Sequence, residues 1–212
     1  MPTRFDSIIF DLDGTLWNAT NAVLEGLRAA RKQVGYIHHD ITAAQLQAVT
    51  GQPYEAVYEQ LYPELPADKR DEFRALCAGE ELVAARRPGV PLYPGLADTL
   101  AFLRAGGYRL FIVSNCQRGY VEAFFESSGL GKYFEDHQCF GTKMLPKADN
   151  IRDIVARHGL RAPVYVGDTP GDLAASRAAG VPFVFATYGF GQVTEAEAPA
   201  RIAQLRDLRN VL

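Results

Sequence analysis

The stretch IIFDLDGTLW, residues 8–17, runs from an apolar segment directly into two aspartates, Asp11 and Asp13. The apolar segment predicts a strand that is buried on both faces of a sheet. Two carboxylates about 4 Å apart repel each other by roughly 4 kcal/mol at an effective dielectric near 20. A protein that carries both groups at the end of a buried strand must therefore supply a compensating positive charge.

Further strand-sized apolar runs follow along the chain, and helical patterns that close near a glycine separate them. The predicted strands are SIIFD (7–11), RLFIVSN (109–115), a weaker HQCFGT (137–142), PVYVGD (163–168) and VPFVFAT (181–187). The predicted helices between them cover 95–107, 120–130, 148–160 and 171–181. This alternation predicts an α/β fold with a Rossmann-like, mainly parallel sheet.

Residues 17–91 break the alternation, because this region shows helical patterns at 19–34, 42–49, 53–61 and 67–86 and no clear strand. The segment RRPGVPLYPG (86–95) holds three prolines and two glycines, which is typical of a stiff connector. We therefore predict an α/β core made of residues 1–16 and 92–212, with residues 17–91 inserted as a helical cap domain. The tail, 194–212, is predicted to be helical and to pack on the core.

Composition excludes several classes of protein. The net charge of the 212 residues is −3 and no long basic run occurs, so nucleic-acid binding is not expected. The longest apolar runs fall far short of the roughly 20 residues that a membrane span needs, and the first residues lack the form of a signal peptide. Three cysteines without a CxxC spacing favour a reduced, cytoplasmic setting.

Polar side chains collect where the predicted strands end. In an open parallel sheet, ligands bind outside the carboxyl ends of the strands, so these residues should meet at one edge. They are Asp11, Asp13, Gly14 and Thr15 after the first strand, Ser114 and Asn115 at the end of the second long strand, Asp168 and Asp172 around the GDTPGD turn, and Lys147 at the start of a helix.

Such a collection of carboxylates indicates a Mg²⁺ site, because Mg²⁺ prefers hard oxygen ligands and often binds one or two carboxylates together with a substrate phosphate. Asp11 and Asp168 are the best side-chain ligands. Asp172 either binds the ion through water or orients Asp168, and Asp13 offers its backbone carbonyl while its carboxyl remains available for proton transfer.

The motifs DLDGTL, VSN, a single lysine and GDTPGD, in that order, resemble the four signature motifs of the haloacid dehalogenase superfamily. The helical insert after the first motif resembles the cap of phosphoglycolate phosphatase-like members. This resemblance implies a phosphatase that acts on a small phosphorylated metabolite through an aspartyl-phosphate. Lys147 suits the pattern better than Lys143, which stays open as an alternative.

The resemblance also implies a role for each residue. Asp11 is the expected nucleophile and Asp13 the acid and base, with a pKa that neighbouring carboxylates should raise. Ser114 and Lys147 are expected to be catalytic too, and substrate binding is expected from Gly14, Thr15, Ser114, Asn115 and Lys147. The cap or its surroundings offer weaker candidates for substrate selection, namely Gln52, Tyr54, Arg86, Arg87 and Arg118.

Two other functions remain open at this point. A sugar phosphomutase of the same family uses the same aspartates. A signalling receiver also combines an aspartate, Mg²⁺ and a lysine on an α/β sheet, although the insert and the GDTPGD turn argue against it. The sequence does not identify the substrate or the oligomeric state.

Overall fold

The apolar segment before Asp11 forms a central strand of a six-stranded sheet in a computed structural model, which describes residues 5–52 and 54–212 except the side chains of Tyr54 and Glu55. The strand order is β3-β2-β1-β4-β5-β6, and neighbouring strands are parallel throughout. In chain order the strands are β1 (Ser7–Phe10), β2 (Arg109–Ser114), β3 (Asp136–Cys139), β4 (Pro163–Gly167), β5 (Phe183–Ala186) and β6 (Arg201–Ile202). The predicted α/β class with a Rossmann-like parallel sheet is confirmed.

The eight predicted helices are present, each within three residues of its expected bounds, but residues 140–143 form a helical turn where the sequence predicted the end of a strand. Within the described residues, no helix is long and apolar enough to cross a membrane. The described helices are α1 (Thr20–Arg31), α2 (Ala43–Val49), α3 (Tyr54–Leu61), α4 (Arg70–Ala85), α5 (Leu96–Ala105), α6 (Tyr120–Ser128), α7 (Phe140–Lys143), α8 (Lys147–His158), α9 (Pro170–Ala179) and α10 (Leu208–Val211).

The continuous apolar run in β1 reflects burial on both faces of the sheet. Ile8 and Phe10 belong to the apolar cluster on one face, whereas Ile9 belongs to the cluster on the other face with Phe111 and Ile151. All of these side chains are fully buried. Because alternate residues of a strand point to opposite faces, a strand covered on both sides must be apolar at every position.

Helices α1 to α4 share an apolar cluster of their own, whose buried members all lie between Leu24 and Cys77. Two hydrogen bonds join the ends of this insert, one from the Asn18 N–H to the Pro91 carbonyl (2.8 Å) and one from the Tyr93 N–H to the Leu16 carbonyl (3.1 Å). The division into a core and a cap at residues 17 and 91 stays a prediction, which the separate cluster supports.

The predicted helical tail is wrong over most of its length. Residues Arg201–Ile202 form β6, and a 3-10 turn at Leu205–Asp207 precedes the single helical turn α10. The alanine-rich composition of the tail favours a helix locally. In the structure, however, the Phe185 N–H donates to the Ala200 carbonyl at 2.9 Å, and the tail pairs with the edge of the sheet. Satisfying the unpaired edge of β5 outweighs the local helix propensity.

Candidate active site

The carboxyl ends of β1 and β4 bring Asp11 and Asp168 together. These neighbouring strands are parallel, with Phe10 paired to Val166, so the residues that follow them leave the sheet at the same edge. Both aspartates are buried, with 2% and 0% of their surface exposed. The strand order turns back between β1 and β4, and this is the position at which open α/β sheets bind ligands.

Lys147 lies between two of the carboxylates. Its ammonium is 2.8 Å from Asp11 Oδ1 and 2.6 Å from Asp172 Oδ1, and only 4% of its side chain is exposed. Burial by itself would lower the pKa of Lys147, but the charges of Asp11 and Asp172 raise that pKa above its usual value and keep the group positive. The alternative, Lys143, pairs with Asp153 at 2.8 Å on the surface, where 40% of the lysine side chain is exposed.

The Asp168 carboxylate accepts hydrogen bonds from two separate segments of the chain. Its Oδ1 accepts the Thr15 hydroxyl at 2.8 Å, and its Oδ2 accepts the backbone N–H of Phe190 at 2.8 Å. A Cβ added at Gly14, whose φ is +83°, would lie 2.1 Å from Asp168 Oδ2. Gly14 therefore makes room for the Asp168 carboxylate, and the Thr15 hydroxyl orients it. A direct contact of Gly14 or Thr15 with substrate stays a prediction.

Asp172 receives donors on both of its oxygens. Its Oδ2 accepts the Thr169 hydroxyl at 2.7 Å and the Thr169 N–H at 2.9 Å, while the Asp172 N–H donates to the Thr169 hydroxyl at 3.1 Å. This reciprocal pair is the capping box that begins α9. Since Oδ1 already faces Lys147, the geometry favours Asp172 as an anchor for the site over Asp172 as a direct metal ligand.

A divalent cation fits this group of side chains. One carboxylate oxygen each from Asp11, Asp168 and Asp172 lies within 4.8 Å of the others, and all three residues are buried. When ionised, three carboxylates facing one ammonium leave two negative charges without compensation. The two positive charges of Mg²⁺ would balance them. Burial, and next the charge of Asp172, raises the pKa of Asp11 well above its usual value and that of Asp168 to about 7. Additional positive charge would therefore keep both groups ionised.

Asp13 stands apart from the three-carboxylate group. Its Oδ1 accepts the Tyr120 hydroxyl at 3.2 Å, and burial raises the pKa of Asp13 to about 6. The predicted direction of this shift agrees with the structure, but the predicted cause is wrong. Desolvation raises the pKa, while the Tyr120 hydroxyl, the Trp17 indole and the Lys147 charge all lower it.

Ser114 and Asn115 end β2 beside these aspartates. Ser114 is buried and lines the cavity above Asp11. The Asn115 amide donates to the Gly51 carbonyl of the insert at 2.8 Å, so in this structure it links the core to the helical region. Contact of either side chain with a phosphoryl group stays a prediction.

Gln117 makes a second link between the core and the insert. Its amide nitrogen is 3.1 Å from the Ala78 carbonyl and 3.1 Å from Glu81 Oε2, both on α4. Together with the Asn115 bond, this link closes the helices over the strand ends. The cavity between the helices and the strand ends measures about 100 Å³.

The residues predicted to select the substrate differ in whether they line the cavity. Gln52 lines the cavity, whereas Arg118 is exposed and does not line it. Arg86 and Arg87 pair on the surface with Glu126 and Glu25, each at 2.9 Å. The Tyr54 side chain lies outside the described residues.

Sequence reasoning missed three groups of the site. Tyr120 contacts Asp13, the Phe190 N–H holds Asp168, and Glu81 is buried at the cavity wall with its Oε1 accepting the Tyr58 hydroxyl at 2.8 Å. The glycine-rich YGFG segment after the predicted last strand was a signal for the Phe190 contact, because it lies at the same sheet edge. Tyr120 and Glu81 lie within helices and carry no comparable signal.

Known proteins resemble this chain over most of its length. A model of the family described as haloacid dehalogenase-like hydrolase matches residues 8–186. A phosphoglycolate phosphatase from Synechococcus elongatus is 32% identical over 187 residues, which cover 87% of this chain and 84% of that protein. The probable phosphatase IndB from Dickeya dadantii is 27% identical over 202 residues, which cover 90% of this chain and 85% of that protein.

The fold has a close counterpart among solved structures. The crystal structure of a predicted phosphoglycolate phosphatase from Haemophilus somnus matches with a TM-score of 0.85, covering 100% of this chain and 99% of that chain. The sequence identity of this pair is 22%, so the match concerns the fold alone.

Proposed function

The chain belongs to the haloacid dehalogenase-like hydrolase family, and we propose that it is a Mg²⁺-dependent phosphatase that hydrolyses small phosphate monoesters through an aspartyl-phosphate at Asp11. Relatives that carry the name phosphatase over most of the chain support the reaction class. One observation carries the choice of nucleophile. Asp11 is a buried carboxylate that borders the cavity, and Lys147 holds one of its two oxygens at 2.8 Å.

In the first step, an Asp11 oxygen forms a bond to phosphorus while the bond between phosphorus and the ester oxygen breaks. A carboxylate needs no base to activate it, but it must approach an anionic group. Lys147 lies beside Asp11 and opposes that repulsion. The Ser114 hydroxyl, at the end of β2, would donate to a phosphoryl oxygen.

Asp13 would transfer the protons. Its carboxyl gives a proton to the departing ester oxygen, which leaves as an alcohol, and it then takes a proton from the water that attacks the phosphorus of the aspartyl-phosphate. The second step breaks the bond between phosphorus and the Asp11 oxygen and releases phosphate. A pKa of about 6 suits a group that must give and accept a proton near neutral pH. The Tyr120 hydroxyl orients the carboxyl for both steps.

Asp11 and Asp168, with the backbone carbonyl of Asp13, would hold the Mg²⁺ ion. When bound, the ion supplies positive charge against the phosphoryl oxygens and the carboxylates. Thr15, Phe190 and Gly14 act on this site through Asp168, whose oxygens they direct or accommodate.

Phosphate release from a panel of phosphate monoesters, with Mg²⁺ and with EDTA, tests the proposal. We expect Asp11→Asn to reduce release by at least about a thousandfold, because the substitution removes the group that forms the intermediate. The control is Asp149→Asn, the same change at a partly exposed aspartate that pairs with Arg152. Both variants must keep the circular dichroism spectrum of the wild type.

Each alternative outcome has its own meaning. Retained activity in Asp11→Asn would refute Asp11 as the nucleophile. Conversion of a hexose phosphate into its isomer without phosphate release would indicate a phosphomutase. A phosphoaspartate that persists for many minutes would indicate a signalling receiver.

A further inference from the structure

The cavity above Asp11 has two halves of different polarity. The half at the strand ends carries Asp11, Asp13 and Ser114, where the phosphoryl group would bind. The helices of the insert supply the opposite half, where the aliphatic lining residues are Val23, Leu27, Leu46, Val57 and Leu61. The part of a substrate that points away from phosphorus would therefore face a mostly apolar wall.

Cations are absent from the described lining of this cavity, which contains no lysine, arginine or histidine. The sequence at positions 53–55 is Pro-Tyr-Glu, which adds none. The nearby arginines lie elsewhere, since Arg86 and Arg87 form surface ion pairs and Arg118 does not line the cavity. A carboxylate or second phosphate on the substrate would be desolvated here without a counter-charge, which is costly.

Among the described residues of the insert, the carboxyl group that lines the cavity is that of Glu81. Its Oε1 accepts the Tyr58 hydroxyl at 2.8 Å and its Oε2 accepts the Gln117 amide at 3.1 Å, so both oxygens already have donors. Burial raises the pKa of Glu81 to about 8. Whether protonated or ionised, Glu81 adds no positive charge, and its existing partners leave it poorly placed to bind an ammonium group.

We propose that the substrate is a phosphate ester of a short, uncharged alcohol with an apolar body, and that the enzyme discriminates against esters whose alcohol part carries a charge. This inference rests on the phosphatase activity proposed above. The size of the cavity limits the alcohol, because about 100 Å³ holds on the order of ten water molecules. That space accommodates a phosphoryl group and a few further atoms, so we expect a short alcohol part.

Four esters that differ mainly in the charge and polarity of the alcohol part test the proposal. They are 2-phosphoglycolate, its uncharged amide 2-(phosphonooxy)acetamide, isobutyl phosphate with the same branched outline, and phosphoethanolamine with a positive charge. We expect kcat/KM for the amide and for isobutyl phosphate to exceed the values for both charged esters by at least about tenfold. A charged ester that equals or exceeds the uncharged ones would overturn the inference and leave the phosphatase activity intact. Phosphate release from none of them, together with release from another member of the monoester panel, would overturn the inference alone, whereas no release from the whole panel would overturn the phosphatase activity as well.

A pair of variants tests whether the missing cation is the cause. Gln52 lines the cavity and exchanges hydrogen bonds with Gln60, which is exposed and does not line it. We expect Gln52→Lys to raise the ratio of kcat/KM for 2-phosphoglycolate to that for its amide by at least about fivefold. Gln60→Lys adds the same charge outside the cavity and should leave the ratio unchanged. Because each ratio is measured on one protein, partial unfolding cancels, and equal ratios in the two variants would overturn the electrostatic explanation.

Discussion

Replacing Lys147 by methionine is expected to destabilise the metal-free protein by about 3–5 kcal/mol. Lys147 contacts Asp11 at 2.8 Å and Asp172 at 2.6 Å, and all three side chains are at least 96% buried. Removing one member of a buried ion pair leaves a charge without compensation, and this typically costs about 3–5 kcal/mol. The methionine keeps most of the side-chain volume, so little of the loss would come from a cavity.

The same substitution at Lys143 is the matched control. Lys143 pairs with Asp153 at a similar distance, 2.8 Å, but 40% of the lysine side chain is exposed. Exposed pairs contribute about 0–1 kcal/mol. For a protein of 212 residues, an unfolding entropy near 2.1 cal/mol/K per residue translates these losses into Tm decreases of roughly 7–11 °C for Lys147→Met and at most about 2 °C for Lys143→Met.

Urea and thermal unfolding in EDTA, followed by circular dichroism, would measure both losses. A double variant, Lys147→Met with Asp172→Asn, should recover part of the stability, because it removes one of the carboxylates that lost its partner. Equal losses for the two lysine variants, or no recovery in the double variant, would refute the reasoning that Lys147 compensates buried charge.

Three further predictions concern the glycine beside Asp168, the acid in the cavity wall and the metal. Gly14→Ala should cost at least roughly 3 kcal/mol in urea unfolding, because its Cβ would lie 2.1 Å from Asp168 Oδ2 at a φ of +83°. Gly159→Ala, also at a positive φ but with nothing within 4 Å, should cost about 1 kcal/mol, and equal costs would contradict the clash. Burial raises the pKa of Glu81 from 4.5 to about 8, so the folded protein keeps a proton that the unfolded chain releases. Wild-type stability should therefore fall relative to Glu81→Gln by roughly 3–4 kcal/mol as the pH rises from 5 to 8, and a difference that is constant with pH would argue against a neutral Glu81. Mg²⁺ at about 100 times its Kd should stabilise the wild type and Asp149→Asn by about 2.7 kcal/mol, or roughly 6 °C in Tm. Asp168→Asn should lose most of this shift, and an undiminished shift in that variant would place the metal elsewhere.

Most of the fold could be predicted from the sequence because the signals are local. The apolar runs of β1, β2 and β4 identify strands buried on both faces, and the helical patterns of the insert identify α1 to α4. The tail could not be predicted in this way. Its pairing with β5 depends on an edge that exists only in the assembled sheet, as the bond from Phe185 to Ala200 shows.

The candidate site was predictable in its residues but not in its contacts. The carboxylates after β1 and β4 are visible in the sequence because strand ends of a parallel sheet share one edge. The choice between Lys143 and Lys147 is different, since both precede the same strand and only packing separates the surface lysine from the buried one. Similarly, the sequence shows acidic neighbours for Asp13, yet desolvation causes its pKa shift.

The sequence alone thus determined the α/β class, the helical insert and the acidic residues at the strand ends, because hydrophobic periodicity and motif order are properties of neighbouring residues. Only the tertiary structure decided which groups meet. Lys147 reaches Asp11 across 136 positions of the chain, and Glu81 borders a cavity that the insert closes over β1 and β2. Burial and charge compensation depend on everything packed around a group, so the pKa of Asp13 and the lack of cations in the cavity emerge only when distant segments come into contact.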